Sequence, residues 1–144
     1  MREILFRAKR KNWRELPEYE WWVEGYSVKY QPCASKDEWI YGIVPTYASA
    51  LYIIEIDPET LCQYTGKSDE DGKKIFERDI VGFIDLYSTE SGYSESSCLG
   101  EVAWSEEECC FHVTNRLSAE SWEILDECKV VGNVFDNKEI LGEC

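Results

Sequence analysis

Apolar and polar positions alternate along most of this chain, a pattern of half-buried strands rather than helices. Ile4, Phe6 and Ala8 alternate with polar neighbours and predict a first strand. Trp21-Trp22-Val23 and Tyr26-Ser27-Val28-Lys29-Tyr30 flank Gly25, and aromatic and β-branched residues of this kind suit a pleated surface. Trp39 to Val44 reads as a strand stopped by Pro45, and Ala50 to Ile56 as one stopped at Asp57-Pro58, because proline removes a ladder donor. Asp71-Gly72 is a hairpin-type turn, with glycine supplying the positive φ.

Ile80 to Tyr87 is apolar on both faces and predicts a central strand. Residues 88–98 are rich in serine and glycine without any period, so a long mobile loop is expected there, and the first site of proteolysis. Strands resume at Glu101 to Trp104 and Cys110 to Thr114. One helix is expected, capped by Ser118, with Glu120 and Glu123 in its early turns and Trp122 and Leu125 on one face. Val130 to Phe135 then closes the chain as a strand around Gly132.

The expected fold is therefore mainly β with minor α. Composition changes near Gly66, which divides the chain into an N-terminal β-meander lobe over 1–65 and a C-terminal lobe over 66–144. Short strands, tight turns and one helix in the latter suit a small SH3-like β-barrel.

Composition refines this picture. The chain has 144 residues, 44% hydrophobic and 14% aromatic, enough for a core. No apolar run approaches the roughly 20 residues needed to cross a bilayer, and Arg2, Glu3, Arg7, Lys9, Arg10 and Lys11 interrupt the start, so a cytoplasmic location is expected. The seven cysteines are odd in number and form no CxxC, which reads as reduced thiols, several of them small buried apolar residues.

The charge of −14 is uneven: residues 1–66 carry 8 basic and 10 acidic side chains (−2), and residues 67–144 carry 7 and 19 (−12). A lobe at −12 repels a phosphate backbone, so direct nucleic-acid binding is not expected. The one basic patch, Arg7, Lys9, Arg10, Lys11 and Arg14, reads as a solvated edge or as a partner for the acidic half.

Candidate chemistry is sparse. His112 with Cys109, Cys110 and Cys128 can be drawn as a zinc site, but alternation on a strand sends Cys109 and Cys110 to opposite faces, and paired ligand spacing is missing. No metal and no cofactor are expected. A cysteine nucleophile at Cys62 or Cys110 would need nearby positive charge, which the acidic half lacks. Asp69-Glu70-Asp71-Gly72 lacks the later ligands of a calcium loop, and Glu106-Glu107-Glu108 is most simply a solvated turn. The aromatic cluster Trp13, Tyr19, Trp21, Trp22, Tyr26 and Tyr30 is either core packing or an interface, since tryptophan and tyrosine concentrate at binding hot spots. Trp13, Trp21, Trp22 and Tyr26 with Arg7, Lys9 and Arg10 form the candidate interaction surface.

The stretch Gln63 to Val81 resembles the signature of the YopX-like proteins of phages and prophages, typically written QYTGLKDKNGKEIYEGDIV. Met1 to Ala8, Trp22 to Tyr26, Ile56 to Thr60, Gly100 to Trp104 and Val130 to Asn137 are similar to further blocks of that family, in family order. Lys67-Ser68 and Arg78 depart from the signature. Arg78 stands where the family has glycine, so either the backbone there is ordinary or the family's turn is altered. The resemblance implies one compact unit made of both lobes, encoded by phage or prophage and acting in the host bacterium, with no catalytic or ligand residues to carry over. The expected function is that of a non-enzymatic accessory protein binding protein, either itself as a homo-oligomer or a host factor. The alternatives are an acidic nucleic-acid mimic that blocks a host protein, and an enzyme.

Overall fold

The computed structural model describes residues 3–32, 37–47, 52–115, 120–124 and 126–141, with only the backbone of 86–88, 120 and 121. It divides into two compact units, Met1–Tyr64 and Thr65–Cys144. Both are mainly β, the sheets are antiparallel, and the helical turns among the described residues are short 3₁₀ pieces.

The first unit contains β1 (Phe6–Lys9), β2 (Trp22–Tyr30), β3 (Ile40–Pro45), β4 (Ile54–Glu55) and the start of β5 (Cys62–Ser68), in the order β4-β3-β2-β1-β5. The alternation of Phe6 and Ala8 does produce a strand, with Ala8 fully buried against Val23, Ile43 and Ile56. Gly25 does not interrupt the second strand, as β2 runs straight through it, opposite Phe6 on one side and Pro45 on the other. Pro45 and Asp57-Pro58 act as stops as expected, and Asp57 caps the 3₁₀ turn Pro58–Thr60. Ala50 and Leu51, expected to begin a strand, lie outside the described residues.

Strand β5 carries the chain into the second unit, where it neighbours β6 (Lys74–Phe76). The turn between them contains Gly72 at φ 82. The Asp69 carboxylate organises it, with Oδ1 accepting from Asp71 N at 3.0 Å and Lys73 N at 2.9 Å. Its Oδ2 accepts from Val130 N at 3.0 Å, and Glu70 N donates to Cys128 O, so the turn is stitched to the chain's closing segment. β7 (Asp79–Thr89), β8 (Gly92–Ser105), β9 (Cys110–Asn115), β10 (Glu120–Trp122) and β11 (Lys129–Asn133) form a sheet in the order β10-β9-β8-β7-β11. Ile75, Val81, Phe83, Val102, Val113, Ile124 and Cys128 make its core.

Three expectations need correction. Glu120 to Trp122 is strand β10, paired with Val113 to Asn115, and not the first turns of a helix. Trp122 packs edge-on to Phe83 at 5.0 Å, and that sheet contact overrides a helical spacing that rested on two residues. Ser118 and Leu125 lie outside the described residues. Residues 88–98 are not a loop: β7 and β8 stay in register from Ile80↔Glu101 to Thr89↔Gly92, leaving a two-residue tip. The segment shows no period because its side chains mostly face water, with only Cys98 at its end packed against the core; Tyr93 is 85% exposed. Finally, the sheet is open among the described residues, with β10 and β11 at its edges, so no closed barrel forms. The β7–β8 hairpin outruns its short neighbours instead of curling onto them.

Arg78 settles the signature's departure. Its φ is 66°, so the turn keeps the left-handed backbone that a glycine would favour. Arg78 N donates to Val102 O at 2.7 Å and its carbonyl accepts from Val134 N, which holds the residue in that conformation. The guanidinium lies 5.5 Å from the Phe135 ring centre, a weak offset to the strain. Arg78→Gly is therefore expected to stabilise the second unit by about 1 kcal/mol. Urea denaturation checks this, and a loss of stability would show that the arginine contact outweighs the strain.

Candidate functional site

The end of β1 places Lys9 where the chain turns back towards β2. Its backbone is tied on both sides, since Lys9 N donates to Thr60 Oγ1 at 2.8 Å and Lys9 O accepts from Asp57 N at 2.9 Å. The 3₁₀ turns Trp13–Glu15 and Glu18–Glu20 then fold the connection over this strand. The Lys9 ammonium is 3.8 Å from the Trp13 ring centre, 4.4 Å from Trp21 and 5.5 Å from Trp22. Trp13 and Trp21 meet edge-on at 4.9 Å. Their indole N–H groups are also placed, donating to Asp57 Oδ2 and Leu16 O respectively. Arg7 lies 4.9 Å over Trp22, Arg14 lies 4.3 Å over Trp13, and Arg10 donates to Glu20 O.

Five of the seven residues expected at an interaction surface thus converge: Arg7, Lys9, Trp13, Trp21 and Trp22. They converge inward. Lys9 is 2% exposed, so the aromatic cage already holds a cation of its own chain. The basic run is solvated only in part: Lys11 and Arg14 are exposed, whereas Lys9 is buried and Arg7 and Arg10 meet a tryptophan face and a backbone carbonyl of the first unit. Arg10 stands beside the cage, and Tyr26 stands apart from it on β2. Lys9→Met, which keeps the length and removes the charge, is expected to cost about 2 kcal/mol through the lost cation–π contacts. Denaturation followed by tryptophan fluorescence reads it; an unchanged midpoint would mean that packing alone holds the cage.

Tyr26 lies further along the face of β2 that carries Trp22, beyond Glu24. It shares a sheet face with Val28 and Tyr30 on β2, opposite Val44, Gly42 and Ile40 of β3. Ile53 lies across Gly42, where an added Cβ would come within 2.5 Å of its Cγ2 and 3.5 Å of Val28 Cγ2. Tyr26, Tyr30 and Ile53 are 53%, 39% and 39% exposed. The period-2 spacing of Tyr26, Val28 and Tyr30 was visible in the sequence. The seat that Gly42 makes for Ile53 was not, because it joins residues of separate segments of the chain.

The thiols and the histidine do not assemble. Cys110 and His112 share a face of β9, Cys109 sits in the preceding turn at φ 53, and Cys128 is buried in the second unit's core. Burial pushes the Cys128 thiol up, and the charges of Asp69, Glu70 and Asp126 push it further, away from the range of a nucleophile. Among the described residues no three His, Cys, Asp or Glu side chains are grouped to hold a metal ion, and no helix is long and apolar enough to cross a membrane. The five described cysteines, Cys62, Cys98, Cys109, Cys110 and Cys128, are free thiols.

A family model described as YopX protein matches residues 6–142, nearly the whole chain. No curated protein matches it.

Proposed function

The chain belongs to the YopX family, and on that premise we propose that it is a phage-type accessory protein that acts by binding protein, in the first place a second copy of itself. One observation carries this reading: the open apolar face formed by Tyr26, Tyr30 and Ile53 around Gly42. Tyr26 and Tyr30 stand on strand-paired backbone and Ile53 immediately precedes β4, so little further ordering of the tyrosines is needed when a partner covers them. Tyrosine supplies large contact area with few torsions to freeze, which is why it is enriched at hot spots. Charge favours a second copy as the occupant. The face lies in the part of the chain with a net charge of −2, whereas contact through the part at −12 would set like charges together. Reaction chemistry has no comparable support: the buried Cys128 thiol is pushed away from reactivity.

The test is a double variant, Tyr26→Ser with Ile53→Ser. It is expected to reduce the solution mass to the 16.8 kDa of one chain while leaving the circular dichroism spectrum unchanged. A variant that keeps the wild-type mass would remove this face from the account.

A further inference from the structure

We propose that the outer part of the β7–β8 hairpin is a docking edge for an extended, lysine- and arginine-rich segment of another protein. The two strands pair with each other as far as Thr89↔Gly92. Their neighbours stop much earlier: β11 reaches only Gly82 on one side, and β9 only Glu101 on the other, with Asn115 Nδ2 donating to Leu99 O. Residues 83–89 and 92–98 therefore form a two-stranded arm with no strand on either outer edge among the described residues. Such edges are templates for strand addition, and proteins ordinarily guard them with lysine, proline or bulges. The arm has no lysine, no proline and no break in register along its length.

Charge names the occupant. No lysine or arginine occurs from Asp79 to Asn115, and Asp85, Glu90 and Glu95 lie on the arm or its tip. Pairing with the arm of a second copy would bring carboxylates against carboxylates, whereas a cationic strand complements them. An anchor point is present as well. At the arm's root an open depression of about 480 Å³ is lined by Gly82, Ile84, Ser97, Leu99, Lys129 and Val131. Ile84, Leu99 and Val131 are 52%, 36% and 45% exposed. The one cation on its rim, Lys129, is paired with Glu70 at 3.2 Å, so it does not repel a basic strand at full strength. A segment that adds to the arm with cationic side chains along it and one apolar side chain in the depression satisfies every part of this surface.

The probe is a fluorescein-labelled peptide of alternating lysine and valine, about eight residues long to match a strand, titrated into the full chain. The expected result is saturable binding, with amide-exchange protection confined to residues 83–98 and their immediate neighbours. Asp85→Lys with Glu95→Lys should weaken it by at least about tenfold. Gly82→Val should also weaken it by filling the depression. A Cβ at Gly82 meets Leu99 Cδ2 at 3.4 Å, Cys98 O at 3.9 Å and Val131 Cγ1 at 3.9 Å, ordinary contacts, and an unchanged circular dichroism spectrum is the check that the variant keeps its fold. The proposal is overturned if the peptide does not bind, if neither variant weakens it, or if a lysine–glycine peptide binds equally well. Protection lying elsewhere overturns it too.

Discussion

Asp69→Asn will destabilise the second unit by about 3 kcal/mol at neutral pH, a large fraction of the stability of a small domain. The carboxylate accepts three backbone N–H groups, from Asp71, Lys73 and Val130, and is itself 7% exposed. Asparagine keeps the shape and one acceptor oxygen. Its amide nitrogen would then face Val130 N–H, donor against donor, and a buried donor left without an acceptor costs about 1–3 kcal/mol beyond the charge-assisted bond lost. The effect has a pH signature. Chiefly through the bond from Val130, the Asp69 carboxyl is held below its ordinary value. Its contribution is thus fully present above the unfolded carboxylate pKa of about 3.9 and disappears as pH falls through the lower folded value. The stability gap between wild type and Asp69→Asn should therefore narrow between about pH 5 and the depressed folded pKa. Urea titrations at several pH values measure it, and a gap independent of pH would show that the carboxylate's charge is not what holds the turn.

Gly25→Ala should damage the first unit at least as severely. Strand β2 crosses β3 so closely that an added Cβ would sit 2.0 Å from Val44 O and 2.8 Å from Pro45 Cα. Both are backbone atoms, so no side chain can swing away. Relief requires opening the β2–β3 ladder, which spans six residue pairs and seats Ile43 in the core. The expected cost exceeds about 3 kcal/mol, the range of severe overpacking, and a substantial unfolded fraction of that unit at room temperature is the expected observation. Alanine has a higher intrinsic strand preference than glycine, so a neutral or stabilising outcome would mean that the strands stand further apart than described here.

The strands that face a core were legible, because burial on one side writes a period of two. Phe6 and Ala8 follow it, whereas Ile40 to Pro45, Val102 to Trp104 and Cys110 to Thr114 were marked by apolar, aromatic and β-branched residues rather than by strict alternation. The β8 side of the arm, residues 92–97, was illegible for the opposite reason: its side chains lie mostly in water, so serine and glutamate serve as well as any residue, and only the backbone ladder records the structure. Glu120 to Trp122 misled because three-residue strand pairing leaves no period, while acidic residues near an apolar pair imitate a helix start. The candidate site was half legible. Composition brought Arg7, Lys9 and the tryptophans to notice, but not that they face one another, since closure depends on Asp57 and Thr60 some fifty positions away. The signature stretch had a similar fate. Its carboxylates are engaged in structure, Asp69 on three N–H groups and fully buried Asp79 on Phe76 N, so they identify the family and hold its turns.

The most direct test of the account is the solution mass of the full chain by light scattering, at micromolar protein and at both low and high salt. Aromatic burial through the face of Tyr26, Tyr30 and Ile53 predicts a multiple of 16.8 kDa under both conditions, because screening does not weaken an apolar contact. A mass of 16.8 kDa in both would contradict it.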